Sequence, residues 1–199
     1  MKNLFLKSLA ILLLSSQAHA GILGSTVFIE PSLSYKVENT KLTDLALTTT
    51  EIKTTAPAFG LKLNYRSASG LEISLGGEYV KGSANISNLA NKNEFSKSTA
   101  GLTIGVNSAG FVKMYLGASI HNEFVIAQSD QIQETKFSGP SYLAGLVFRL
   151  LPSFNLGFQY NLNQYNKVKG NTYLIGENIE SYYSKVDTQD YSIFISTTF

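Results

Sequence analysis

The sequence predicts an all-β fold, an eight-stranded antiparallel up-and-down barrel that crosses a membrane. Three observations predict it. Apolar residues recur at every second position in eight segments, the period of a strand with one apolar face. The segments are joined alternately by tight turns and by long polar stretches. The faces opposite the apolar stripes are rich in Gly, Ser and charge, whereas the apolar stripes carry no charge.

In chain order, segment 25–37 places Val27, Ile29, Leu33, Tyr35 and Val37 on one face, and segment 56–66 places Phe59, Leu61, Leu63 and Tyr65. Segment 70–81 follows with Leu71, Ile73, Leu75 and Tyr79, then 96–107 with Ala100, Leu102, Ile104 and Val106. Segment 110–123 offers Val112, Met114, Leu116, Ala118 and Ile120; segment 139–150 offers Tyr142, Ala144, Leu146, Phe148 and Leu150. Segment 154–165 has Phe154, Leu156, Phe158, Tyr160 and Leu162, and 188–199 ends the chain with Tyr191, Ile193, Ile195, Thr197 and Phe199. The turns "SAS", "SA" and "LPS" are short and built of small residues, Gly and Pro. The stretches 38–55, 82–95, 124–138 and 166–187 are long and polar. Short turns at one end and long loops at the other are the layout of a membrane barrel.

Alternation alone also fits a soluble exported barrel with an apolar cavity. Three features favour the inverted arrangement, with the apolar stripe toward lipid. A Gly- and Ser-rich stripe suits a narrow lumen. Aromatics recur near the ends of the apolar stripes, as interfacial girdles do. The segments are of the length that a tilted strand needs to cross hydrocarbon, about 9–11 residues. Backbone groups in lipid must all be paired, so the sheet must close, with the last strand bonded to the first.

Residues 1–20 read as a cleaved signal peptide: Lys2 and Lys7, the apolar run Leu9 to Leu14, and Ala18-His19-Ala20 before Gly21. Residues 21–199 form the barrel domain. Removing the two signal lysines from 16 basic residues leaves 14, against 14 acidic ones. A neutral chain argues against a nucleic-acid partner. There is no cysteine, so packing and hydrogen bonds alone hold the fold.

The architecture, joined to the terminal pattern Tyr191-x-Ile193-x-Ile195-x-Thr197-x-Phe199, resembles the small eight-stranded outer-membrane barrels of Gram-negative bacteria, of the OmpA transmembrane-domain and OmpX type. The resemblance implies a place in the bacterial outer membrane, with both termini in the periplasm. It implies contact with outer-membrane lipid and lipopolysaccharide, and a terminal pattern read by the barrel assembly machinery. It also implies a structural or surface-interaction role, without catalysis. The sequence departs from OmpA proteins in one respect: nothing follows Phe199, so their peptidoglycan-binding domain is expected to be absent.

Eight strands enclose just enough room for side chains, so the inward charges must pair. The expected lumen network comprises Glu30, Lys62, Arg66, Glu72, Glu78, Lys113 and Arg149, with Arg66 near Glu72 across the hairpin and Glu78 one diagonal step from Lys62. It reads as a polar plug that fixes strand register, and alternatively as the gate of a small ion-conducting, porin-like barrel. A third reading is a lipid A-modifying enzyme. His121, with Ser119 and Glu123 two residues to either side, supplies the residue types of a hydrolytic triad, but all three are expected to face the lumen, away from lipid. The long loops hold Tyr182 and Tyr183, expected at the surface as contacts for an extracellular ligand. No metal-ligand cluster, phosphate loop or nucleotide fingerprint is seen, so no cofactor is expected.

Overall fold

The computed structural model describes residues 20–22, 25–87, 89, 91–108, 111–130, 132–170 and 177–199. Apart from Ala20, the expected signal segment lies outside the described residues, as does the tip of the "SA" turn. Twelve strands are described: β1 (Ala20–Ile22), β2 (Ser25–Asp44), β3 (Thr49–Arg66), β4 (Leu71–Ile86), β5 (Asn93–Ser108), β6 (Val112–Ile126), β7 (Thr135–Ser138), β8 (Ser141–Leu151), β9 (Phe154–Asn163), β10 (Lys167–Gly170), β11 (Glu177–Asn178) and β12 (Tyr183–Thr197). Among the described residues one 3₁₀ turn, η1 (Ile179–Ser181), precedes the last strand. Every pairing is antiparallel.

Eight of these strands form the barrel: β2 through β6, then β8, β9 and β12, closed by the β6–β8 and β12–β2 ladders. The chain end completes the closure. Beyond β12, the Phe199 N–H donates to the Ile29 carbonyl at 3.0 Å and the Ile29 N–H to the Phe199 carbonyl at 3.1 Å. No sheet edge is left at that end of the wall, which a hydrocarbon environment requires.

The faces sort as the alternation predicts. Outward Leu33 (43% exposed), Leu61 (48%), Ile104 (52%) and Ile193 (54%) belong to an apolar belt around the barrel. Tyr35, Phe59, Tyr79, Tyr142, Tyr160 and Tyr191 mark the upper rim of that belt, with the Tyr160 and Tyr191 rings 5.1 Å apart. Inward Glu30, Asn64, Glu72, Lys97 and Asp190 are buried. A water-soluble barrel would have these faces exchanged.

Six of the barrel strands, β2 through β6 and β12, run past the sequence segments at the long-loop end, whereas β8 begins at Ser141 and β9 ends at Asn163, two residues inside theirs. The stretch 38–55, expected as a loop, is mostly strand: β2 runs on to Asp44, β3 starts at Thr49, and the two stay paired to Thr43–Thr49. Leu47 turns the hairpin with a positive φ of 64°, and the Asp44 carboxylate accepts the Thr48 N–H at 2.8 Å. In these extensions the interior is apolar. Leu42, Ile52, Ile86, Phe95, Phe124, Phe137, Tyr165, Val168 and Ile179 form one buried cluster inside the long-hairpin end. Four of its aromatic rings are joined by tilted contacts: Phe124, Phe137 and Tyr165 stand 6.0 to 6.2 Å apart, and Phe95 joins them through Phe124 at 5.5 Å. The outward residues there, such as Lys41, Thr43 and Lys53, are polar.

Candidate functional site

The interior is stacked in layers along the barrel axis. At the short-turn end, the Arg66 guanidinium donates twice to Glu72 Oε2, at 3.0 and 2.8 Å. Lys113 Nζ donates to the other Glu72 oxygen at 2.7 Å and to Glu30 at 3.3 Å. Ser196 of the last strand donates to the second Glu30 oxygen at 2.6 Å, so the charge layer spans the closing seam. Arg149 lines the same recess beside Glu30, Arg66 and Lys113 but forms no ion pair among the described residues.

In the middle lies a plug of another chemistry. Lys62 Nζ sits 4.7 Å above the Tyr115 ring and 5.5 Å above Phe194. Tyr115 donates to Gln159 at 2.7 Å. Opposite the Phe194 ring stands Gly157, where a Cβ would collide with the ring, so the glycine is what lets the aromatic enter the lumen. A chamber of about 60 Å³ adjoins the plug, lined by small groups such as Ser32, Gly60, Thr103 and Ser192. It has room for a few waters.

Toward the long-hairpin end comes a second charge layer. Lys97 bridges Glu38 and Asp190, the latter at 2.8 Å. Lys36 bridges Glu78 at 2.9 Å and Asp190 at 3.4 Å. Tyr165 donates to Glu38 at 2.8 Å and Ser34 to Glu78 at 2.7 Å. The aromatic cluster caps this layer.

The seven expected charges therefore divide. Glu30, Arg66, Glu72 and Lys113 meet directly and Arg149 lies beside them. Glu78 is in the other layer, bonded to Lys36, and Lys62 rests on aromatic rings with no carboxylate in ion-pair reach among the described residues. The diagonal Lys62–Glu78 pair is not formed: Lys36 on β2, two strands from Glu78, reaches across to it, while Lys62 lies on the Tyr115 and Phe194 rings. Sequence reasoning missed Lys36, Glu38, Lys97 and Asp190 as a network. Lys36 and Asp190 were visible on the polar stripes. Glu38 and Lys97 lie just past the upper rim of the apolar belt, where the alternation changes sense. Phe194 was missed because an apolar residue on the polar stripe breaks the pattern.

His121 is a correction. The β5–β6 register slips between Ala100 and Gly101: Gly101 faces Ser119, Ala100 faces His121, and Ile120 is the extra residue. The bulge turns His121 outward. Ser119 stays buried inside, so the expected trio is split between two faces. The imidazole Nε2 instead meets Ser98 Oγ at 2.9 Å on the outer wall, and Glu123 pairs with Lys136 at 2.9 Å. Tyr182 and Tyr183 are also placed differently. Both are half-buried against the interior apolar cluster rather than displayed, with the Tyr183 ring 6.5 Å from Phe137.

A family model for the outer membrane protein beta-barrel domain matches residues 7–180. Among solved structures, Ail of Yersinia pestis, in complex with the heparin analogue sucrose octasulfate, is similar at 15% identity and a TM-score of 0.56, covering 87% of this chain and 99% of Ail. OprG of Pseudomonas aeruginosa matches at 15% identity and 0.52, over 87% and 95% of the two chains. Neisserial surface protein A matches at 16% and 0.50, over 88% and 99%. No curated protein matches the chain. An apolar belt around a closed ring of eight strands, a charged interior and a family match over most of the sequence lead to one assignment: the chain belongs to the outer-membrane β-barrel domain family and is a protein of the bacterial outer membrane.

Proposed function

We propose that this barrel serves the cell surface through its long-hairpin end, in a structural or surface-interaction role without catalysis. The chain is exported by a signal peptide over residues 1–20, and the strand ending at Phe199 is what the assembly machinery reads. Both termini and the short turns face the periplasm. The observation that carries the reading is the filled interior: two ion-pair layers, the Lys62–Tyr115–Phe194 plug and the aromatic cap succeed one another along the axis. With the axis occupied, what the molecule offers outside is the wall that rises above the belt.

That wall is studded with outward lysines: Lys41, Lys53, Lys81, Lys136, Lys167 and Lys185. Several have acidic neighbours, such as Glu51 for Lys53 at 3.0 Å and Asp187 for Lys185 at 2.7 Å. Such a fringe suits the phosphates of lipopolysaccharide around the barrel, and an anionic glycan from outside. The Ail complex with a heparin analogue supports the second as a use of this architecture. The test is retention of the refolded protein in lipid nanodiscs on immobilised heparin. Replacing Lys53, Lys81 and Lys136 together by Gln should lower the salt needed for elution; unchanged or absent retention rejects the anionic ligand.

A second reading rests on the Ser98–His121 contact on the outer wall, at the height where lipid A would lie. It fits an acyl hydrolase, but the Glu123 carboxylate is bonded to Lys136 rather than to the imidazole. Mass spectrometry of lipid A from cells with wild-type protein or His121→Ala decides it: identical profiles dismiss the enzyme.

A further inference from the structure

Above the apolar belt the wall is a sheet with two ends. β12 pairs with β9 from Thr197 up to Asp190, which faces Asn161, and there the ladder stops. From Gln189 to Tyr183, β12 keeps, among the described residues, only its ladder with β2. The chain after β9 turns its hydrogen bonds the other way. The Gln164 N–H donates to the Pro140 carbonyl at 2.9 Å and the Asn166 N–H to the Ser138 carbonyl at 3.0 Å. The Asn166 carbonyl in turn accepts the Ile179 N–H at 3.0 Å, which sets η1 across the top of the gap. A cleft of about 800 Å³ results between β9 and β12.

Its lining joins two environments. Tyr160 and Leu162 at its foot belong to the outward apolar belt, whereas Tyr165 and Ile179 at its back belong to the interior cluster. Lys41, Lys185 and Gln189 stand at its rim. The cleft thus opens sideways, at the height of the Tyr160–Tyr191 pair where the belt meets the polar wall.

We propose that this window is a lateral binding site for a single-chain amphiphile drawn from the membrane. The hydrocarbon chain passes over Leu162 to lie against Tyr165 and Ile179. An oxygen-bearing headgroup stays at the rim, met by the donors Lys41, Lys185 and Gln189. The half-paired edge of β12 could alternatively take an added strand. The mouth borders the belt, however, so hydrocarbon is its nearest neighbour and an acyl chain its natural occupant.

The chain contains no Trp and no Cys, so single reporters can be introduced cleanly. The mature protein is refolded into phosphatidylcholine nanodiscs as Tyr183→Trp, with the reporter lining the window, or as Leu61→Trp, with the reporter on the lipid-facing wall of β3. The probe is stearic acid carrying a nitroxide near its carboxyl end. Quenching of Tyr183→Trp should saturate and be reversed by unlabelled stearic acid. Quenching of Leu61→Trp should rise linearly and resist competition. Extending the register past Asn161–Asp190 sets Leu162 opposite Gln189, so oxidised Leu162→Cys/Gln189→Cys should close the seam. It should weaken the saturable phase roughly tenfold or more, and reduction should restore it. Linear, uncompeted quenching at both reporters overturns the proposal even if the disulfide variant fails to fold, and so does a saturable phase that the closed disulfide leaves unchanged. Protection of β12 amides by an added extended peptide, without saturable quenching, assigns the edge to strand addition and also overturns it.

Discussion

Lys97 is the residue whose environment says most about the interior. Its ammonium is buried between Glu38 and Asp190, and Lys36 reaches the same Asp190. Removing one member of such a group leaves charge buried without compensation, which costs about 3–5 kcal/mol where water is excluded. Lys97→Met should therefore lower the urea midpoint of the heat-modifiable gel band markedly. Lys185→Ala removes only an exposed pair and should change stability by less than about 1 kcal/mol. Equal midpoints for the two variants would show that water reaches the upper charge layer freely. At the same scale, His121→Cys in nanodiscs should react promptly with a water-soluble maleimide, and Ser119→Cys should not. The reverse order would restore the inward histidine that strict alternation implies. That alternation was legible for Glu30, Arg66, Glu72 and Lys113, because they lie in unbroken period-two runs. It failed for His121 because one extra residue in one strand leaves no mark in a single sequence.

The bulge at Ile120 does its work at the scale of the element. Below it, even-numbered residues of β6 (Met114, Leu116, Ala118, Ile120) point outward to lipid; above it, even-numbered Phe124 and Ile126 are buried inside. The apolar parity never changes, so the bulge alone moves the apolar stripe from the outside of the wall to the inside. It lies where β6 gives up β8 as partner, at Ser119–Ser141, and takes β7 from Glu123. On the facing strand Gly101 is required: a Cβ there would collide with the Ala118 carbonyl and the Ser119 backbone. Deleting Ile120 should turn Phe124 and Ile126 out of the aromatic cap, with a loss of the order of 3–5 kcal/mol for the phenylalanine alone. Ile120→Ser, which only trims an outward side chain, should be far milder on the same urea-gel assay. Comparable losses would mean that the bulge is dispensable. In β2 and β3 the same change of environment comes from a one-residue shift in the sequence pattern, from outward Val37 to inward Leu42. That shift made 38–55 read as a polar loop. The strand does not end there; the membrane does, and a pattern matched to one solvent on one face cannot tell the two apart.

For the whole molecule the question is whether anything passes along the axis. Eight strands leave room only for side chains. The layers that fill it differ in kind: ion pairs at the short-turn end, a cation on aromatic rings in the middle, ion pairs again, then an apolar cap. A charge-lined path alone could open by exchanging ion-pair partners. An ion that crossed both charge layers would still face Phe95, Phe124, Phe137 and Tyr165, and dewetted apolar constrictions stop ions. The polar interior and its filling by side chains were legible from the Gly- and Ser-rich stripe and the strand number, but the apolar cap was not, since it is assembled from residues far apart in the chain, on β5, β6, β7 and the segment after β9. The refolded barrel should therefore show no steady openings in planar bilayers. Thinning the middle plug, with Tyr115→Ala and Phe194→Ala together, should not open it either, because the cap remains. Conductance should appear only when Phe124 and Phe137 are also reduced to alanine in a protein that keeps its heat-modifiable band. Steady openings in the unaltered protein that vanish on replacing Lys62 or Arg149 would reverse this order of barriers and make the charge layers, rather than the cap, the element that controls the lumen.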